Sequence, residues 1–252
     1  MPLQQTAVKA NASPLDLDAV ESIVCHAGAA GRLVWDQNFT PVAEKFSLLA
    51  HRLLRARRSK PIQVVLVTSA VPAEGKSTVA ANLAGFLTRN GSHALLIDAD
   101  LRKSDIHRKF GFDEIPGLGA VLNGELTLQQ ALRRLEPRGI YFLSAGAHIK
   151  NPVPLLEGEA FSALIDKVRE SFEWIIIDSP PINRLVDAQC IANLADTTVL
   201  VVRWGFTPKE ELNQAIATLG GLPLLGIVLN RFDDPQESYY YYYSSNTKHT
   251  QP

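Results

Sequence analysis

From Gln63 onward, short runs of β-branched and aliphatic residues alternate with stretches whose apolar positions recur every three or four residues. The runs are QVVLVT (63–68), ALLID (94–98), IYFLS (140–144), WIIID (174–178), TVLVVR (198–203) and LLGIVLN (224–230). The patterns between them predict helices starting at Ser77 and over 160–171, 186–195 and 208–219. Continuous apolar strands separated by amphipathic helices predict an α/β chain, a mostly parallel sheet with helices on both faces. Upstream, Val42, Phe46, Leu49, Leu53 and Leu54 fall on one face of a helix predicted over 41–58, whose basic end suits the helix dipole. Residues 1–40 have weak periodicity and predict a loosely ordered arm with a short helix over 15–25. Residues 41–235 read as one domain. Residues 236–252 lack apolar periodicity and large aliphatic side chains, which predicts a flexible tail.

Composition narrows the function. The 252 residues carry a formal net charge of −1, so no global basic surface for nucleic acid is present. Cys25 and Cys190 lack metal-ligand spacing and read as free thiols of a reducing compartment. The six histidines are scattered, which leaves a His/Cys metal site unsupported. No apolar run approaches the ~18 residues a spanning helix needs, and the N-terminus lacks a secretory layout. The chain is therefore expected to be cytoplasmic.

Strand 63–68 runs into Ser69-Ala70-Val71-Pro72-Ala73-Glu74-Gly75-Lys76-Ser77-Thr78, and a helix follows. Gly75-Lys76-Ser77 completes a phosphate-loop pattern in the right strand–loop–helix context, although Ala70 occupies the position of the first glycine. The loop from Pro72 to Thr78, through the N–H groups after the proline, and the helix N-terminus would present positive potential to a triphosphate. Lys76 would reach the β- and γ-phosphates, Ser77 would ligate Mg²⁺, and Thr78 would face the α-phosphate.

Two more strands end in aspartate: LLIDADLRK delivers Asp98 and Asp100 with Arg102 behind them, and IIIDSPP delivers Asp178. Phosphoryl transfer needs charge neutralisation, in-line placement and an acceptor for the proton of the attacking hydroxyl. One aspartate can be that base while others hold Mg²⁺ through water. Residue types alone do not assign the roles.

TSAVPAEGKST, LLIDADLRK and IIIDSPP, in that order and followed by a tyrosine cluster, resemble the bacterial tyrosine kinases of capsule and exopolysaccharide systems. The likeness runs from Pro41 to the C-terminus. It implies ATP and Mg²⁺ as cofactors, with Lys76 and Ser77 on the nucleotide and Asp98 as base toward the tyrosine. It also implies Asp100 and Asp178 supporting Mg²⁺, and Asn230 and Arg231 near the adenine. A membrane adaptor of the chain-length-regulator type is implied as a separate protein that brings the kinase to the inner face of the plasma membrane. An opposing protein-tyrosine phosphatase is implied as well. Ala73 stands where glycine is common in the family. Glu44 matches the ring-forming Glu-x-x-Arg-x-x-Arg helix, but Ser47 and Ala50 replace both arginines, so a closed ring is not implied. Leu155 stands where an acidic residue is usual.

Five of the six tyrosines are consecutive, Tyr239, Tyr240, Tyr241, Tyr242 and Tyr243. A run has no period that buries one face, so a mobile phosphoacceptor segment able to enter a neighbouring active site is the expectation. Each phosphate would add about −1.5 to −2 charges and loosen a homo-oligomer held by tail docking. Two rival readings share the sheet. A ParA/MinD-like positioning ATPase would need a lysine where Val71 stands. A nucleotide-binding scaffold would keep the loop and lose the chemistry.

Overall fold

The structure is a computed structural model that describes residues 15–25, 33–35, 40–113 and 115–231. The tyrosine run and residues 1–14 lie outside the described residues. Eight strands form one sheet: β1 (Ser22–Val24), β2 (Val64–Ser69), β3 (Ala94–Asp98), β4 (Arg133–Glu136), β5 (Ile140–Leu143), β6 (Trp174–Asp178), β7 (Thr197–Arg203) and β8 (Leu224–Asn230). Their order is β1-β4-β5-β3-β6-β2-β7-β8, and every pairing is parallel except β4 with β5. The helices are α1 (Pro41–Arg57), α2 (Lys76–Leu87), α3 (Ile106–Lys109), α4 (Leu118–Leu122), α5 (Leu128–Ala131), α6 (Val153–Leu156), α7 (Glu159–Arg169), α8 (Asp187–Ala192) and α9 (Lys209–Thr218). The six strands and the α/β class expected from the sequence are all present.

The strand period of two divides the core. Val65 and Val67 of β2, Leu96 of β3 and Ile176 of β6 join one apolar cluster with Val79 and Leu83 of α2 and Leu53 of α1. Val64, Leu66, Leu95 and Ile177 join the opposite cluster with Phe161 and Leu164 of α7. The central strands are buried on both faces, which is why they read as unbroken apolar runs. Helix α2 is buried from Val79 to Leu87 because α1 covers its outer side, where Phe46 stacks on Phe86 at 6.0 Å. Thr40 caps α1 by accepting from the Ala43 N–H at 3.2 Å, and Pro41 opens the helix.

The N-terminal arm differs from expectation. No helix forms over 15–25; Ser22–Val24 instead pairs in parallel with β4. Leu33, Val34 and Trp35 are buried against α2. The Val34 N–H donates to Asn82 Oδ1 at 2.8 Å, and the Trp35 indole covers Gly85 so closely that a Cβ there would lie 2.4 Å from the ring. The antiparallel β4–β5 hairpin was also not expected, because RRLE carries too many charges to read as a strand.

At the amino ends of β2 and β7, Asp196 accepts from the N–H groups of Gln63 and Val64, each at 2.7 Å, and takes a two-point contact from Arg169 at 2.8 and 2.9 Å. Burial opposes ionisation here, but Arg169 and the two N–H groups outweigh it and hold the carboxyl below its ordinary 3.8. A depressed carboxyl stabilises the fold above the unfolded-state value and loses that contribution as pH falls through the folded value. Asp196→Asn should therefore cost about 1–3 kcal/mol at neutral pH. Urea denaturation should show the gap to wild type narrowing as pH drops below 3.8.

Candidate active site

Register places the chemistry. Asp98 of β3 and Asp178 of β6 are direct partners across parallel strands at their carboxyl ends. Both share the parity of Leu96 and Ile176, so both point to the α2 face. The β2–α2 loop ends on the same face: Gly75, with φ of 95°, is the N-cap residue and Lys76 begins α2. Lys76 Nζ stands 3.4 Å from Asp100 Oδ2 and 3.6 Å from Asp178 Oδ2. Four charged residues from three chain segments thus converge.

Burial sets their protonation. Desolvation pushes Asp98 up to about 7, and neighbouring Asp178 adds to the push against the pull of Lys76 and Ser104. Desolvation also raises Asp178. Burial would lower Lys76, but Asp178, Asp100 and Asp98 hold it charged and its value is raised. Asp178 Oδ1 is buried with no hydrogen-bond partner. An acceptor so placed fits a metal-bound water or a phosphate-bound cation. Among the described residues no group of three or more His, Cys, Asp or Glu could hold a metal alone. The donor set therefore suits Mg²⁺ that arrives with nucleotide phosphates, which complete its oxygen shell.

A cleft of about 910 Å³ opens above these groups and is lined by Pro72, Ala73, Gly75, Lys76, Ser77 and Thr78 of the loop. Asp100, Arg102, Asn230 and Arg231 also line it. Gly75 is required twice over: its φ is positive, and a Cβ would lie 2.1 Å from Asn230 Nδ2. That same Nδ2 donates to the Glu74 carbonyl at 2.7 Å and ties β8 to the loop. Ala73 holds φ of 66°, a left-handed conformation that favours glycine. Arg102 borders the cleft but is locked by Asp187, with Nε at 2.8 Å and Nη2 at 3.2 Å.

Three of the expected site residues, Glu74, Asp98 and Asp178, do not line the cleft. Glu74, grouped with the nucleotide-binding residues by its place in the loop, turns its carboxylate away from the cleft and is fully buried. It accepts from the Val71 N–H at 2.6 Å, the Arg203 N–H at 3.3 Å and the Thr207 hydroxyl. The side chain braces the loop from behind. Asp98 is also fully buried and does not line the cleft. Ser104 does, and its hydroxyl donates to Asp98 Oδ2 at 2.9 Å while standing 3.0 Å from His107 Nδ1.

A family model described as an AAA domain matches residues 72–222. The chain is 35% identical over 191 residues to the tyrosine-protein kinase YwqD of Bacillus subtilis, covering 75% of this chain and 80% of that protein. The chain belongs to the bacterial tyrosine kinase family. Its structure resembles the crystal structure of the chimerical protein CapA2B2 with a TM-score of 0.77 and 31% identity, over 85% of this chain and 94% of that one. The putative tyrosine-protein kinase EpsB of Ralstonia nicotianae is 32% identical over 195 residues, 77% of this chain. This kinase spans only 26% of that longer relative.

Sequence reading of this kinase missed Ser104, His107, Asp187 and Thr207. None lies in a strand-end motif; each reaches the site by tertiary packing. A signal existed for Ser104, close behind the LLIDAD strand, and for Thr207, which with Pro208 forms a patch of the family resemblance. Replacing Glu74 with alanine leaves the buried Val71 N–H without its acceptor, whereas the Arg203 N–H and the Thr207 hydroxyl keep Thr207 Oγ1 and the Arg203 carbonyl, each at 3.1 Å. Glu74→Ala should destabilise the fold by about 1–3 kcal/mol in chemical denaturation. Calorimetry should also show weakened nucleotide binding although no ligand-facing side chain has changed.

Proposed function

We propose that this kinase transfers the γ-phosphoryl group of ATP to the tyrosine hydroxyls of its own C-terminal run, Tyr239 to Tyr243, and so regulates polymerisation and export of a capsular or exopolysaccharide. The observation that supports this reading is the convergence of Lys76 with Asp98, Asp100 and Asp178 at the exits of β3 and β6, beside a phosphate loop. Loop N–H groups and the start of α2 hold the phosphates, and Lys76 leaves its aspartates to contact the β- and γ-oxygens. Ser77 would hold Mg²⁺ through its hydroxyl, and Asp100 and Asp178 would hold it through water. When bound, the ion would supply charge neutralisation for the transferred phosphoryl group. Asn230 and Arg231, at the end of β8, border the base.

Asp98 accepts the proton of the attacking hydroxyl, which reaches it past the Ser104 side chain. The tail enters the cleft of a neighbouring copy, and accumulated phosphates separate the copies by repulsion. Among the described residues no helix is long and apolar enough to cross a membrane. A separate adaptor of the chain-length-regulator type would hold the kinase at the inner face of the plasma membrane, and a protein-tyrosine phosphatase would reset it.

The positioning-ATPase reading is not favoured. Val71 is an apolar, buried residue where that class carries its signature lysine. Incubation with Mg²⁺ and ATP, with and without an adaptor's cytoplasmic segment, should yield phosphotyrosine on the wild type. Lys76→Met and Asp98→Asn should each reduce it by at least about a hundredfold. A chain truncated after Pro235 should lose self-labelling yet still label a full-length Lys76→Met chain. Hydrolysis of ATP without phosphotyrosine under every condition would restore the positioning ATPase, and binding without either activity the scaffold.

A further inference from the structure

Eight lysine and arginine residues line the cleft against two aspartates. Most are spoken for. Lys76 pairs with Asp100 and Asp178, Arg102 with Asp187, Lys109 with Asp105, and Arg184 with Glu211. Arg203 lies over the Phe206 ring at 4.5 Å, and Arg231 follows Asn230, which is tied to the phosphate loop. Lys103 and Arg108 are exposed on the rim, and neither forms an ion pair among the described residues. Both flank the base rather than the phosphate loop. Lys103 precedes Ser104, the residue that covers Asp98, and Arg108 belongs to α3, whose first N–H points at Asp98 Oδ2 from 3.4 Å.

The same side of the cleft offers an apolar wall. Val34, Val42 and Phe46 line it, and the adjoining Trp35 packs on Phe110 at the end of α3 with ring centroids 5.8 Å apart. An apolar wall beside unpaired cations, next to the group that would take a phenolic proton, suits an aromatic ring flanked by negative charge. The chain's own acceptor segment has that composition: Asp233, Asp234 and Glu237 lie two to six residues before Tyr239.

We propose that Lys103 and Arg108 form the substrate-selecting rim of this cleft, taking tyrosines preceded by acidic residues or by phosphotyrosine. The proposal rests on the kinase reading above and names the substrate class of that site. Carboxylates recruit the first tyrosine to be used. Each phosphate then adds negative charge beside the next tyrosine, and charge-assisted pairing with the Arg108 guanidinium favours filling the rest of the run.

The test compares three labelled peptides of residues 232–245: the native sequence, one with Asp233→Asn, Asp234→Asn and Glu237→Gln, and that neutral peptide carrying one phosphotyrosine. Transfer is followed as kcat/KM, and binding to the full chain by fluorescence anisotropy, which needs no chemistry. The native and phosphorylated peptides should each exceed the neutral one by about three- to tenfold at low salt, as expected for rim charges. In a Lys103→Ala/Arg108→Ala chain both ratios should fall to near one, with ATP affinity as in the wild type. Ratios that survive the double substitution overturn the proposal, as does a variant that loses ATP affinity while keeping them. If no peptide is phosphorylated yet the anisotropy ratios behave as stated, the kinase reading fails and the rim stands.

Discussion

A single ammonium group balances three carboxylates at the centre of this molecule. Parallel pairing fixes Asp98 beside Asp178 with no freedom to separate, and the loop after β3 adds Asp100. Strand ends buried on the α2 face cannot turn those groups to bulk water. Lys76 is held charged by the aspartates, and Asp98 stays near neutrality's edge because burial and Asp178 oppose its ionisation. The fold tolerates this concentration of like charge because the lysine is delivered by a helix that begins there. The arrangement is poised for a polyanion with a divalent cation, which would take over the lysine and supply the aspartates with a new positive partner.

Much of this was legible in the sequence. The continuous apolar runs of β2, β3 and β6 reflect burial on both faces; β3 and β6 end at Asp98 and Asp178, and β2 runs into the loop that carries Lys76. Lys76, Ser77 and Asp100 border one cleft as their positions in the pattern implied, and Asn230 and Arg231 border it as the family resemblance implied. Local pattern failed where a side chain's direction depends on distant partners. Glu74 lies in the loop but answers to Arg203 and Thr207 from the far end of β7, more than a hundred residues on. Asp98 reads as a strand-end acid, and only packing shows that Ser104 roofs it. The short strand at Ser22–Val24 has a polar surround and exists because β4 offers it an edge.

The cleft has two differently built sides. Asn230 and Arg231 approach from β8 and are fastened to the loop through the Glu74 carbonyl. The opposite side is made by α1, α3 and Val34 of the arm, which meet the rest of the molecule mainly through side chains. Rigid hydrogen-bonded backbone thus frames the phosphate end, whereas looser apolar packing frames the end where a protein substrate would enter. A nucleotide demands fixed geometry and a peptide demands adaptability, so the division suits transfer between two such ligands.

The contact between Trp35 and Gly85 has a consequence for how such chains can vary. Helix α2 lacks a side chain at that point, and the indole fills the space so completely that even one methyl group cannot be added without displacing it. The two positions are therefore mutually exclusive in bulk. A chain with a larger residue at 85 must surrender the indole, and with it the seat that keeps Val34 in the cleft wall. Paired drift at these two sites, fifty residues apart, would trace whether a lineage retains an arm clasped to its phosphate-bearing helix.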